Sequence, residues 1–259
     1  MTSGRFALAA GLLACALLLL SGRTEAEQDS ESSDSRHRID FTGVFLDAQS
    51  SDAINGLLGY TYNLNQRSNI SIALPYLDPD LNTGGNSGFG DLITSFSFVP
   101  SAQISANPWV PRTVGSGIAV SAPLGDADEG RSLDTWVVFP FLGVVLPFAE
   151  QFFFAPQLGY LHSINRTASG SKLRIMTLET GFSYVSLSGF WASYFPKFAR
   201  DFETDDWSID HRVGVGKMFT RNFGLSFDYT FVDRFNFGTD LPIESGFDHL
   251  LELNIHFTF

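Results

Sequence analysis

The sequence predicts an all-β protein: a closed antiparallel transmembrane β-barrel of about 12 strands, with short turns at one end and longer acidic loops at the other. Three observations predict it. The last nine residues, LELNIHFTF, alternate strictly, with Leu251, Leu253, Ile255, Phe257 and Phe259 apolar and Glu252, Asn254, His256 and Thr258 polar between them. Successive strand side chains point to opposite faces, so this is one apolar and one polar face. The links between strand candidates alternate in length. Aromatic residues make up 14% of the chain, with 26 phenylalanines, more than a small soluble domain usually carries; a lipid-facing wall ringed by aromatic girdles accounts for them.

Nine strand residues span roughly 30 Å, and a tilt near 40° leaves about 23 Å of height, close to the roughly 25 Å apolar band of an outer-membrane barrel. A soluble β-sandwich also alternates, but its strands are usually shorter, about 5–6 residues. An alternating last strand ending on Phe259 resembles the C-terminal strand of Gram-negative outer-membrane barrels. The resemblance implies that Phe257 and Phe259 form the insertion signal read by the barrel assembly machinery.

Residues 1–26 read as a secretory signal: Arg5 is the positive n-region, Phe6 to Leu20 the apolar core, and Thr24-Glu25-Ala26 a cleavage site. The apolar run is shorter than the roughly 20 residues of a spanning helix. Cys15, the only cysteine, lies within it, and because Ala16 to Leu20 continue the apolar run it reads as signal core rather than a lipoprotein box. The mature chain then has no thiol chemistry. Removing this segment, with Arg5, Arg23 and Glu25, takes the net charge from −12 to −13, a sign that disfavours nucleic acid.

Residues 27–38, EQDSESSDSRHR, are polar and aperiodic and read as a flexible lead-in to a barrel over 39–259. Twelve strand candidates follow, at 38–48, 53–64, 69–77, 89–99, 112–122, 133–146, 151–162, 172–185, 189–198, 207–219, 223–232 and 247–259. Short links fall at 65–68, 147–150, 186–188 and 220–222. Long, mostly acidic ones fall at 78–88, 123–132, 199–207 and 233–246. Short periplasmic turns and long external loops are the pattern of outer-membrane barrels, and an even strand count places both termini in the periplasm. The link SAQISANPWVPR (101–112) is long where a short turn is expected.

Lysine or arginine on the lipid side near the midplane costs about 2–4 kcal/mol, so charged faces belong to the lumen. The polar partners of the apolar faces are Asp91, Asp134, Glu179, Asp210, Arg212, Asp228, Glu252, Asn254 and His256. Rings of charged side chains set selectivity in such pores, and these would favour cations or neutral solutes. The same residues could instead pair across the barrel and fill it, with Arg212 against Asp210 or Asp228. TWVVFPFLGVV (135–145) and QFFFAPQLGYL (151–161) are apolar on both faces, which suits either a buried sandwich strand or a partly apolar lumen.

Catalytic groups are not apparent. None of His37, His162, His211, His249 and His256 stands in a His-x-Ser arrangement, as a barrel lipid hydrolase would need, and G-x-S-x-G, H-E-x-x-H and P-loop patterns are missing. GDADEG (125–130) resembles part of a calcium loop but lacks its bidentate glutamate. No metal or cofactor is expected beyond divalent cations bridging loop carboxylates to lipopolysaccharide.

NSGFGDLITSFSF (86–98) reads as a G-x-G-D turn before an amphipathic strand, and SGIAVSAPLGD (116–126) ends a strand in Pro-Leu-Gly-Asp. With the last strand, these segments resemble the outer-membrane transporter family named for the meta pathway of phenol degradation. Gly88, Gly90 and Asp91 match its first motif; Pro123, Gly125 and Asp126 match its second, with Ala122 where the family often has Leu. The resemblance implies a barrel admitting aromatic or other hydrophobic compounds. The expectation is therefore passive transport of small solutes across the outer membrane, without enzymatic activity. The alternatives are a side-chain-filled structural or adhesion barrel and, less favoured, a lipid hydrolase.

Overall fold

A computed structural model describes residues 36–48, 51–65, 67–78, 86–102, 113–128, 131–235 and 247–259. The signal segment, residues 27–35 of the lead-in and most of the 101–112 link lie outside the described residues.

The chain forms one closed antiparallel barrel. Its strands are β1 (His37–Ala48), β2 (Ser51–Asn65), β3 (Ser68–Leu77), β4 (Gly88–Phe89), β5 (Leu92–Ala102), β6 (Thr113–Ala122) and β7 (Val137–Ala149), then β8 (Phe152–Ser163), β9 (Arg174–Val185), β10 (Phe190–Asp201), β11 (Trp207–Met218), β12 (Phe223–Phe235) and β13 (Phe247–Thr258). Twelve of these are long. β4 is a two-residue stub that extends β5 along β3 at the loop end. Every long strand pairs with its sequence neighbours, and β1 pairs with both β2 and β13. That last pairing closes the sheet and removes the edges that a membrane would leave unpaired.

Closure runs to the final residue. The His37 N–H donates to the Phe259 carbonyl at 3.1 Å, and the Phe259 N–H donates back at 2.9 Å. The two rings stack 5.6 Å apart with an interplanar angle of 10°. β1 therefore begins at His37, within the stretch expected to be lead-in.

Period-two alternation sorts the walls. Phe41, Phe45, Leu58, Ile72, Phe96, Leu142, Leu158, Phe182, Phe198, Val213, Phe227 and Leu253 are all exposed and form an apolar outer wall. Their neighbours face inward. The links at one end are short: Ser186 to Gly189 turns β9 into β10 with Gly189 at φ 77°, and Phe219 to Asn222 joins β11 to β12. The opposite end carries the loops. β7 begins later than the sequence suggests, because Asp134 sits at φ 54°, in the left-handed region that a strand cannot continue through.

The loop end of the barrel holds an apolar core. Leu57, Ala73, Ile93, Ala119, Phe139 and Leu161 converge from β2, β3, β5, β6, β7 and β8, with Leu133 and Leu173 added from loops. This is where the two-sided apolarity of β7 and β8 goes: one face to the outer wall, the other into this core.

Candidate functional site

The opposite wall, from β9 through β13 to β1, carries the charge. Seven of the nine residues expected to line the lumen share this wall: Glu179, Asp210, Arg212, Asp228, Glu252, Asn254 and His256. Strand parity places them there, since each alternates with outward residues, mostly apolar, and lies beside its partners in register. Lys197 stands between Glu179 and Asp210 in one cross-strand row, and Asp228 stands directly opposite Glu252.

The contacts form two islands. Near the turn end, Asp40 Oδ1 accepts Arg38 Nε–H at 2.8 Å and lies 2.7 Å from His256 Nδ1. Thr42 Oγ1 donates to Asn254 Oδ1 at 2.6 Å, and Asn254 Nδ2 donates to Asp228 Oδ2 at 3.0 Å. Farther toward the loops, Lys197 pairs with Asp210, and Arg212 lies 3.6 Å from Glu179 while its guanidinium stacks over the Phe195 ring at 4.7 Å. Neither Nε nor the terminal nitrogen of Arg212 facing Glu179 has a hydrogen-bond partner. Glu252 lies between the islands and is 1% exposed, while Glu179, Lys197 and Arg212 are each 8% exposed.

Arg38, Asp40 and Lys197 escaped the sequence reading. Lys197 alternates with Tyr194, Pro196 and Phe198 and could have been found by parity. Arg38 and Asp40 fall within the first strand candidate, 38–48, and alternation with Ile39 and Phe41 could have found them too. Their inclusion changes the electrostatics, because five carboxylates now face three permanent cations and a histidine on one wall. This is closer to a mutually paired belt than to a carboxylate ring.

Two expected lumen residues go elsewhere. Asp134 is exposed in the loop before β7 and touches none of the belt. Its apparent alternation with Leu133 and Thr135 is loop geometry rather than strand pleat. Asp91 points inward and is fully buried at the loop end, where it serves the backbone: Oδ1 accepts the Gly125 N–H at 3.2 Å and Oδ2 the Leu133 N–H at 3.0 Å. Arg131 completes this knot by donating to the carbonyl of Ser87 at 2.9 Å, while its own N–H donates to the Asp126 carbonyl at 2.8 Å. Gly88 and Gly125 give the room, since a Cβ at either would run into Arg131, and a Cβ at Gly90 would press on Leu77. Pro123 ends β6 just before the knot. The two glycine-led motifs are thus halves of one loop clamp.

The structure also supplies a histidine–serine contact that sequence spacing conceals. Ser226 Oγ lies 3.3 Å from His256 Nε2, whose Nδ1 faces Asp40. Ser226 stands within β12, where the ladders to β11 and β13 occupy the backbone N–H groups an oxyanion would need. Arg38 also crowds His256 Nδ1 at 3.3 Å. The trio reads as part of the polar wall. In GDADEG, Asp126 Oδ1 accepts the Asp128 N–H at 3.0 Å in a local turn, and Glu129 lies outside the described residues.

No protein-family model and no curated protein sequence matches the chain. Among solved structures the chain is similar to the NanC porin, at 11% identity and a TM-score of 0.62, covering 85% of this chain and 100% of that one. It is also similar to the KdgM porin, at 10% identity and a TM-score of 0.58, covering 86% and 99%. KdgM solved in complex with disordered oligogalacturonate aligns at 11% identity and 0.61, covering 86% and 99%. At these identities the likeness is one of fold: the chain has the barrel architecture of outer-membrane porins.

Proposed function

We propose that this protein is an outer-membrane barrel of a Gram-negative bacterium that lets small solutes pass without enzymatic chemistry, with both termini in the periplasm. The observation that carries this reading is the closed twelve-strand wall, apolar outside and charged inside, a combination that a soluble sandwich has no use for. Short turns at the end holding His37 and Phe259 support the orientation. Outer-membrane lipid, lipopolysaccharide and the assembly machinery are the partners that go with that location.

The inner wall argues for the kind of solute. A charged arc faces an apolar one, which suits small compounds with both an aromatic or hydrophobic part and a polar group. KdgM was solved with a polyanion, oligogalacturonate. Five carboxylates on the belt disfavour that class here.

The near-complete burial of Glu252, Lys197 and Arg212 favours a second reading, in which the belt fills the bore and the barrel is structural. Conductance of the refolded protein in a planar bilayer under a salt gradient separates the two. Discrete steps with cation preference support the pore; silence from a folded, inserted protein supports the filled barrel.

A further inference from the structure

The outer wall is not uniformly apolar. At the loop end, three basic side chains face outward on adjacent strands: His162 on β8, Arg174 directly opposite it on β9, and Arg200 on β10. His162 stacks on Tyr160, itself on the outward face, and Arg200 pairs in register with the exposed Met176. Among the described residues, no lysine or arginine occupies an outward strand position of β1 to β7, so the patch is confined to one side.

Its members are poorly satisfied by the protein. His162 Nδ1 and Arg200 Nε are buried without a hydrogen-bond partner, and the Arg174 side chain makes no hydrogen bond or ion pair among the described residues. Arg200 spends one terminal nitrogen on Asp205, at 2.7 Å, while its guanidinium packs over Phe202 and Trp207 at 5.0 and 5.2 Å. Basic groups at adjacent positions repel one another, and the lipid-facing wall leaves Arg174 without a counter-charge among the described residues. The aromatic pair beside them is what the boundary between acyl chains and headgroups selects.

We propose that His162, Arg174 and Arg200 dock the phosphate of a phosphorylated glycolipid in the leaflet at the loop end. The planar guanidinium forks of Arg174 and Arg200 present paired N–H donors to phosphate oxygens, with the His162 ring beside them. The acyl chains would lie along the apolar wall below, over Met176 and Leu178. The proposal rests on the outer-membrane reading only for which leaflet supplies the lipid.

The test is retention of purified bis-phosphorylated lipid A by the refolded full chain after detergent exchange, read by native mass spectrometry. Unheated gel mobility checks that each variant is folded. Arg174→Gln with Arg200→Gln should lower retention roughly tenfold, about 1.4 kcal/mol. Arg174→Lys with Arg200→Lys should keep part of it, because charge remains while the fork is lost. Lys217→Gln, an outward cation at the turn end, should leave retention unchanged. Wild-type protein should discriminate against fully dephosphorylated lipid A by a similar factor, which keeps the test alive if the glutamine variant does not fold. Equal retention by the glutamine variant, or of the dephosphorylated lipid, would overturn the proposal. Displacement by millimolar inorganic phosphate would assign the patch to a free anion and overturn it too. Retention is measured in detergent, independently of conductance, so a silent pore and a failed docking site are distinguishable results.

Discussion

Asp91 Oδ1 accepts the Gly125 N–H at 3.2 Å, joining two glycine-led segments 34 residues apart in sequence. Its other oxygen holds Leu133, which belongs to the apolar core at the loop end. One carboxylate thus ties the loop after β6 to the top of β5 and seats a core leucine. Asp91→Ala should lower stability by about 2–3 kcal/mol, the range for a buried charge-assisted hydrogen bond left unmade. Urea unfolding of the barrel in lipid vesicles checks this, and Asp91→Asn should retain part of the loss. An unchanged midpoint would mean the clamp is idle.

The belt makes a signed prediction for selectivity. Glu179 and Arg212 are partners at 3.6 Å, so removing either charge exposes the other to the solute path. Arg212→Gln should raise cation over anion permeability and Glu179→Gln should lower it. A unit charge at about 4 Å is worth about 1 kcal/mol even at the dielectric of water, roughly a factor of five in partition. Reversal potential in a salt gradient reads both, and shifts of the same sign would contradict the assignment.

Phe259 closes the barrel on His37 through two backbone hydrogen bonds and a stacked ring pair. Deleting it removes both backbone hydrogen bonds and the terminal aromatic together. Assembly of the truncated protein should fall sharply, measured as the heat-modifiable fraction in isolated outer membranes. Normal assembly would count against the insertion signal that the last strand resembles.

Gly159 on β8 lies under the Phe139 ring, and a Cβ there would overlap it. Gly159→Val should therefore cost about 1–3 kcal/mol, the usual penalty for overpacking. The double variant with Phe139→Val should recover much of it. Thermal unfolding of the two variants against wild type decides whether this inward face is packed as tightly as the burial of Phe139 indicates.

The faces of the strands were legible without a structure. Leu251, Leu253, Ile255, Phe257 and Phe259 had to point one way and Glu252, Asn254 and His256 the other, because the pleat has a period of two and needs only local backbone geometry. The same rule placed Glu179, Asp210, Arg212 and Asp228 inside. It failed at Asp134, where a residue at φ 54° breaks the pleat, while Arg38 and Asp40, inside the expected first strand, share the inward face of Thr42 and obey it.

Which inward residues meet was beyond the reach of the sequence. Asp40 and His256 are 216 positions apart and touch only because β1 pairs with β13 in one particular register. Asp91 became a loop clamp rather than a pore residue because the turn after β6 folds back over β5. The division of the inner wall into a charged arc and an apolar core, and the gathering of His162, Arg174 and Arg200 outside it, follow from closure as well. Alternation assigns each side chain to a wall, while closure and register choose its neighbours, and those neighbours decide whether a charge is paired, orphaned or free to meet a ligand.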